Sequence, residues 1–93
     1  MRTIERSTAF KRDYKREKRG QHRSDVESLL TTTIRDLALN LPLAPQLRDH
    51  DLIGEFLGYR ECHLKPDLLL IYQITEDDVL RLVRLGSHSE LFR

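Results

Sequence analysis

A chain of 93 residues with 39% hydrophobic and 33% charged residues suits one modest core, and its three prolines and four glycines exclude a disordered or fibrous polymer. A lone cysteine, Cys62, excludes an internal disulfide. No charged start leads into a long apolar run, so a secretory signal or membrane span is not expected and the cytoplasm is the expected compartment. The net charge of +1 is uneven: residues 1–23 carry nine Lys or Arg against three acids (+6), and residues 24–93 carry seven against twelve (−5). Such a basic head suits phosphate or an acidic protein partner, and a solvated helix face is the plain alternative.

Arg2 to Arg6 reads as a short first strand, with Ser7 or Thr8 placed to cap a helix behind it. That helix buries Phe10 and Tyr14, four residues apart, while Lys11, Arg12, Lys15, Arg16, Arg19 and Arg23 recur at helical spacing, until Gly20 breaks the pattern. Ser24-Asp25-Val26-Glu27 reads as a capping box opening a second helix. Its buried stripe is Val26, Leu29, Leu30, Ile34, Leu37, Ala38 and Leu41, ended by Asn40 and Pro42. Residues 42–56 show no sustained period and read as a loop carrying Arg48-Asp49-His50-Asp51. Strands are then predicted at Tyr59 to Leu64, Leu68 to Thr75 and Val79 to Gly86, parted by Lys65-Pro66-Asp67 and Glu76-Asp77-Asp78. Leu68 to Ile71 is apolar on both faces, as in a central strand. The expected class is α+β, a single domain over 1–93.

In such a meander the turn after the first of these strands and the end of the last lie at one edge, so His63, Asp67 and His88 become neighbours. Arg84 points opposite to Val83 and Leu85 and faces the same cleft, and His50 folds in from the loop. Each residue has a plain reading: turn capping for Asp67, a half-buried strand residue for His63, a helix start behind the Ser87–Glu90 capping pair for His88, and cross-strand pairing for Arg84. Arg81 competes with Arg84 for any phosphate role. Together these residues supply a proton acceptor, a proton donor and cations around a phosphorane, the parts needed to cleave RNA through its 2′-hydroxyl without a metal. A zinc site from Cys62, His63, His50 and His88 is disfavoured, because adjacent strand residues face opposite ways and no Cys-x-x-Cys or His-x-x-x-His spacing exists.

Asp49-His50, Gly58-Tyr59-Arg60, His63-Leu64-Lys65-Pro66-Asp67, Leu70-Ile71-Tyr72, Arg84-Leu85-Gly86-Ser87-His88 and Leu91-Phe92 occur in the order that resembles the YafQ branch of the RelE/ParE toxin superfamily. The resemblance implies a RelE-like fold: an N-terminal strand and two helices packed on an antiparallel β-sheet, with a short C-terminal helical turn. It implies the toxin of a bacterial type II toxin-antitoxin pair, a ribosome-dependent endoribonuclease that cleaves translated mRNA in the ribosomal A site with no cofactor. Carried over, Asp67 is the general base and His88 the general acid. His50 and His63 stabilise the phosphorane, Arg84 holds the phosphate, and Phe92 packs against a base. The basic helix would meet the small-subunit rRNA of the 70S ribosome or a small, DNA-binding, partly disordered antitoxin. One departure is Leu68, where the family member compared has an aromatic residue, so stacking there is expected to be lost. The competing readings are a ParE-like topoisomerase blocker, which lacks this histidine set, and an inactive nucleic-acid or partner-binding module.

Overall fold

The computed structural model describes residues 1–92. Among them the elements follow as β1 (Thr3–Arg6), α1 (Thr8–Glu17), α2 (Val26–Ala38), β2 (His50–Asp51), β3 (Arg60–Lys65), β4 (Leu68–Ile74), β5 (Val79–Gly86) and α3 (His88–Leu91). They form one sheet in the order β1-β5-β4-β3-β2. The meander of β3, β4 and β5 is antiparallel, as the turn sequences require. β1, however, runs parallel to β5, from Thr3 opposite Val79 to Arg6 opposite Leu82, so the sheet is mixed rather than antiparallel throughout. A parallel pair needs a long crossover, and the helices between β1 and the meander provide it.

β4 is buried on both faces. Leu68, Leu70 and Tyr72 meet Phe10, Val26, Leu30 and Leu37 of the helices, while Leu69 and Ile71 lie beneath Leu91, Phe56 and Phe92 on the other face. Leu68 is fully enclosed in the helix-side core, so position 68 supplies packing rather than a stacking surface. Burial of each such leucine contributes about 1.5–3 kcal/mol. No helix of the described residues is long and apolar enough to cross a membrane.

Two helix boundaries differ from the sequence pattern. Ser7 caps α1, its Oγ accepting from Phe10 N at 2.9 Å, but the helix ends at Glu17, so Arg19 and Arg23 lie in the turns beyond it. The expected Ser24–Glu27 box does not form, and Asp25 stands at the cap with φ −135° and ψ −3°. Successive turns already supply its amides: Asp25 N and Val26 N both donate to His22 O, at 3.1 and 2.9 Å. The Asp25 carboxylate is drawn instead to Lys65 Nζ at 2.5 Å. The Ser87–Glu90 box does close, with Glu90 N donating to Ser87 Oγ at 3.2 Å and Ser87 N to Glu90 Oε1 at 2.8 Å.

β1 stops opposite Leu82, which leaves the rest of β5 with an unpaired edge. α1 completes it. Ser7 Oγ donates to Val83 O at 2.7 Å, Leu85 N donates to Asp13 Oδ2 at 3.0 Å, and Arg16 Nη2 donates to Leu85 O at 2.8 Å. A buried edge without such partners would leave costly orphan groups.

Candidate active site

The loop that delivers His50 is ordered by its neighbours in sequence. Asp49 accepts from the Tyr72 hydroxyl and from Arg60 Nη2 at 2.7 Å, and Arg60 Nη1 donates to Asp51 at 2.6 Å. Burial and the bond to Asp49 push the Tyr72 phenol up, which keeps it a donor, and Asp49 likewise holds Arg60 charged. Arg48 turns the chain with φ 51°, and Gly58, at φ 94°, brings it back into β3 where a side chain would be strained. The segment read as a loop thus contains β2, which pairs His50 with Glu61.

Register then builds a transverse row. His50 opposes Glu61, Glu61 opposes Ile71, and Ile71 opposes Arg84, so all four share the face away from α1 and α2. His63, opposite Leu69, occupies the next row. At about 4.8 Å per strand the backbones of His50 and Arg84 stand roughly 14 Å apart, a span for a nucleotide between them. Val83 is the extra residue of a bulge, because Ile71 opposes Arg84 while Tyr72 opposes Leu82. Val83 therefore shares the face of Arg84, and the expected alternation between them is lost.

Glu61 was not singled out by the sequence. It is 4% exposed, its Oε2 lies 3.1 Å from His50 Nε2 and 3.6 Å from His63 Nε2, and its Oε1 is buried without a hydrogen-bond partner among the described residues. The other ring nitrogens face carbonyls: His50 Nδ1 is 2.6 Å from Arg48 O, and His63 Nδ1 is 3.4 Å from Pro66 O. The signal available in the sequence was spacing, since Glu61 lies two residues before His63 in a strand and must share its face.

Asp67, in the turn between β3 and β4, accepts from His88 N at 3.2 Å, which fixes the start of α3 beside it. The His88 ring is exposed and rests on Phe92 with centroids 4.9 Å apart, and Phe92 meets Phe56 edge-on at 5.5 Å. Arg84 donates from Nε to Asp13 Oδ2 at 2.7 Å and from Nη2 to Asp13 Oδ1 at 3.2 Å. Among the described residues Nη1 carries no hydrogen bond, and it is the nitrogen left for a phosphate oxygen. Burial pushes the Asp13 carboxyl up, but hydrogen bonds from Arg84 and Leu85 N with the charges of Arg84 and Arg16 outweigh it and hold it below the usual carboxylate range.

Two expected site residues are placed otherwise. Arg81 lies at the far end of β5, donating to Glu5 at 3.1 Å and Gln73 at 3.1 Å, and is not brought to the cleft. Arg16 is not a free docking charge: it bonds Asp13 at 3.0 Å, Glu17 at 3.1 Å and Leu85 O at 2.8 Å, and pairs with Glu90 at 3.3 Å. Hydrogen bonds from Ser87 hold the Glu90 carboxyl below its usual range, so this clamp on α3 stays charged. Lys11, Arg12, Lys15, Arg19 and Arg23 remain exposed. Cys62 faces away from the histidines into the core, where burial pushes its thiol up to about 12. Among the described residues no group of three or more His, Cys, Asp or Glu is disposed to hold a metal ion.

Residues 2–93 match the family model described as the bacterial toxin of type II toxin-antitoxin system, YafQ. The mRNA interferase toxin YafQ of Escherichia coli K12 is 39% identical over 92 residues, covering 98% of this chain and 96% of that protein. A metal-bound toxin from Helicobacter pylori superposes with a TM-score of 0.86 at 51% identity, covering 99% of this chain and all of that one. The toxin in the E. coli DinJ-YafQ toxin-antitoxin complex superposes with a TM-score of 0.83 at 36% identity, covering 99% of this chain and 98% of that one.

Proposed function

Because the chain belongs to the YafQ family of bacterial type II toxins, we propose that it is an mRNA interferase that cleaves translated message in the ribosomal A site by metal-independent acid–base catalysis. The observation that carries this reading is the approach of Asp67 to His88, 3.2 Å from Oδ1 to the backbone nitrogen across 21 residues of sequence, beside a carboxylate-held histidine pair. In the reaction Asp67 takes the proton of the 2′-hydroxyl, whose oxygen attacks the adjacent phosphorus. His88 protonates the departing 5′ oxygen, leaving a 2′,3′-cyclic phosphate. His50 and His63, placed beside each other by Glu61, face the charge that builds on the phosphorane oxygens, and Arg84 Nη1 holds one of them. Phe92 packs against a base.

The partner is an antitoxin, as DinJ is for E. coli YafQ, and the exposed basic residues of the first helix and its following turn serve it or the ribosomal RNA. Primer extension on translated messages after brief expression tests the activity, and single-turnover cleavage on ribosomes with and without EDTA tests the chemistry. The expected result is cleavage in frame with translation and an unchanged rate in chelator while the ribosomes stay intact. Loss of rate that zinc or magnesium restores overturns metal independence, and topoisomerase inhibition without cleavage overturns the activity.

A further inference from the structure

Two concavities adjoin the site along α1. The inner one, about 400 Å³, lies between the turn after α1 and the Ser87 turn, with Gln21, His22, Ser87 and Ser89 on its walls and Asp67 at its end. The outer one, about 500 Å³, is lined by Arg12, Lys15 and Arg19. Arg16 and Gly20 line both, so the two adjoin at these residues and together make a trough beside the end of α1. His22 is the one histidine with no role in the proposed reaction, and its Nε2 lies 3.2 Å from Gln21 Nε2.

We propose that this trough carries the message: the inner cleft takes the nucleoside next to the scissile phosphate, and the outer basic concavity holds the phosphate that follows it. The polarity of each half fits its occupant. Arg16 is committed to Asp13, Glu17 and Glu90, which leaves the inner cleft rich in acceptors, suited to a ribose hydroxyl or an exocyclic amino group rather than to an anion. In the outer half Arg12, Lys15 and Arg19 make no ion pair among the described residues, and their charge far exceeds the roughly half-unit negative charge of a helix end. Single-stranded RNA fits better than an antitoxin segment, because the trough opens directly onto Asp67.

Gly20 makes the idea testable. A Cβ there would meet only Arg16 O at 3.7 Å and Glu17 O at 3.8 Å, which are ordinary contacts, and Gly20 is not among the positive-φ glycines. Gly20→Leu should therefore fold normally while its side chain fills the floor of the trough. The inference rests on the reading of the chain as an mRNA interferase, and the test separates the two. Full-length protein is bound to 70S ribosomes programmed with a message that carries a 2′-deoxy block at the scissile position and 4-thiouridine one or two nucleotides to either side.

For the wild type, crosslinks are expected to residues 12–22. Gly20→Leu should reduce them and raise the half-saturating message concentration at least tenfold, with the saturated single-turnover rate on cleavable message, the melting temperature and ribosome binding unchanged. Replacing Arg12, Lys15 and Arg19 by Ala should each remove about 0.7 from the salt slope of message binding. Crosslinks that avoid α1, or a Gly20→Leu variant that weakens only ribosome or antitoxin binding, would overturn the trough. Absence of cleavage by the wild type on unblocked message would instead overturn the interferase reading, whatever the crosslinks show.

Discussion

At the scale of single residues, Asp13 does more for the site than its place in a basic helix suggests. Fully buried, it receives Leu85 N, Arg84 and Arg16 together. Asp13→Asn puts an amide donor against those donors and should cost about 3–5 kcal/mol, the usual effect of breaking a buried charge pair. The sign of its pH dependence follows from the depressed carboxyl: the stability it contributes is present above the unfolded value near 3.8 and is lost as pH falls through the lower folded value. Urea denaturation between pH 2.5 and 7 should show the wild type losing stability at the acid end and Asp13→Asn showing a flatter curve. A parallel loss in both proteins would assign the acid limb to other carboxylates. His88 is the opposite case, since its ring is exposed and its α3 anchor is the backbone nitrogen. His88→Ala should keep stability within about 0.5 kcal/mol. Its single-turnover rate on ribosomes should fall on the order of a hundredfold to ten-thousandfold. A stable variant that cuts at the wild-type rate would pass the acid role to His50 or His63.

At the scale of elements, α3 has only four residues and holds no position alone. It is clamped by Asp67 at its first amide, by Glu90 against Arg16, and by burial of Leu91. The clamp closes over Gly86, where a Cβ would stand 2.7 Å from Arg16 Nη2, 3.0 Å from Glu90 Oε1 and 3.3 Å from Leu91 Cδ2. Gly86→Ala should therefore cost about 1–3 kcal/mol through overpacking and lower the cleavage rate more than message binding, because it displaces His88. The imidazole resonances of His88 should shift while those of His50 and His63 stay in place. If all three histidines shift together, the sheet rather than the clamp has moved. Arg16 is also unsuitable for probing docking by charge reversal, since Arg16→Glu would set a carboxylate against Asp13, Glu17 and Glu90. Lys11, Arg12, Lys15 and Arg19 are the residues for that experiment.

At the scale of the whole molecule, positive charge and chemistry are segregated. The exposed cations crowd α1 and its following turn, whereas the cleft cation Arg84 is largely spent on Asp13 and Arg81 is occupied by Glu5. The trough cations hold only a neighbouring phosphate and the cleft itself has little free charge for the scissile one, so purified protein should cut naked RNA slowly and ribosome-bound message at least a hundredfold faster. Single-turnover rates on one message, with and without ribosomes, measure this directly, and equal rates would place all substrate positioning within the chain.

The sequence by itself determined what rests on short-range rules. An apolar, turn-bounded run at 68–71 and the β-rich residues 79–86 make strands, Ser7 and Ser87–Glu90 cap helices, and turn residues at 65–67 and 76–78 force a meander that brings His63, Asp67 and His88 to one edge. Those outcomes need only strand-forming residues between turns, local hydrogen bonding and chain direction. What only the tertiary structure decided depends on partners distant in sequence. β1 became parallel because it finds β5 after a two-helix crossover. Ser24 lost its cap to turns and to the pull of Lys65 on Asp25, and Glu61 joined the site because β2 pairs with β3. Arg16 and Arg84 were claimed by Asp13 at an open sheet edge. A side chain's charge can be read from the sequence, but which opposite charge neutralises it is set by where the fold leaves buried groups unpaired.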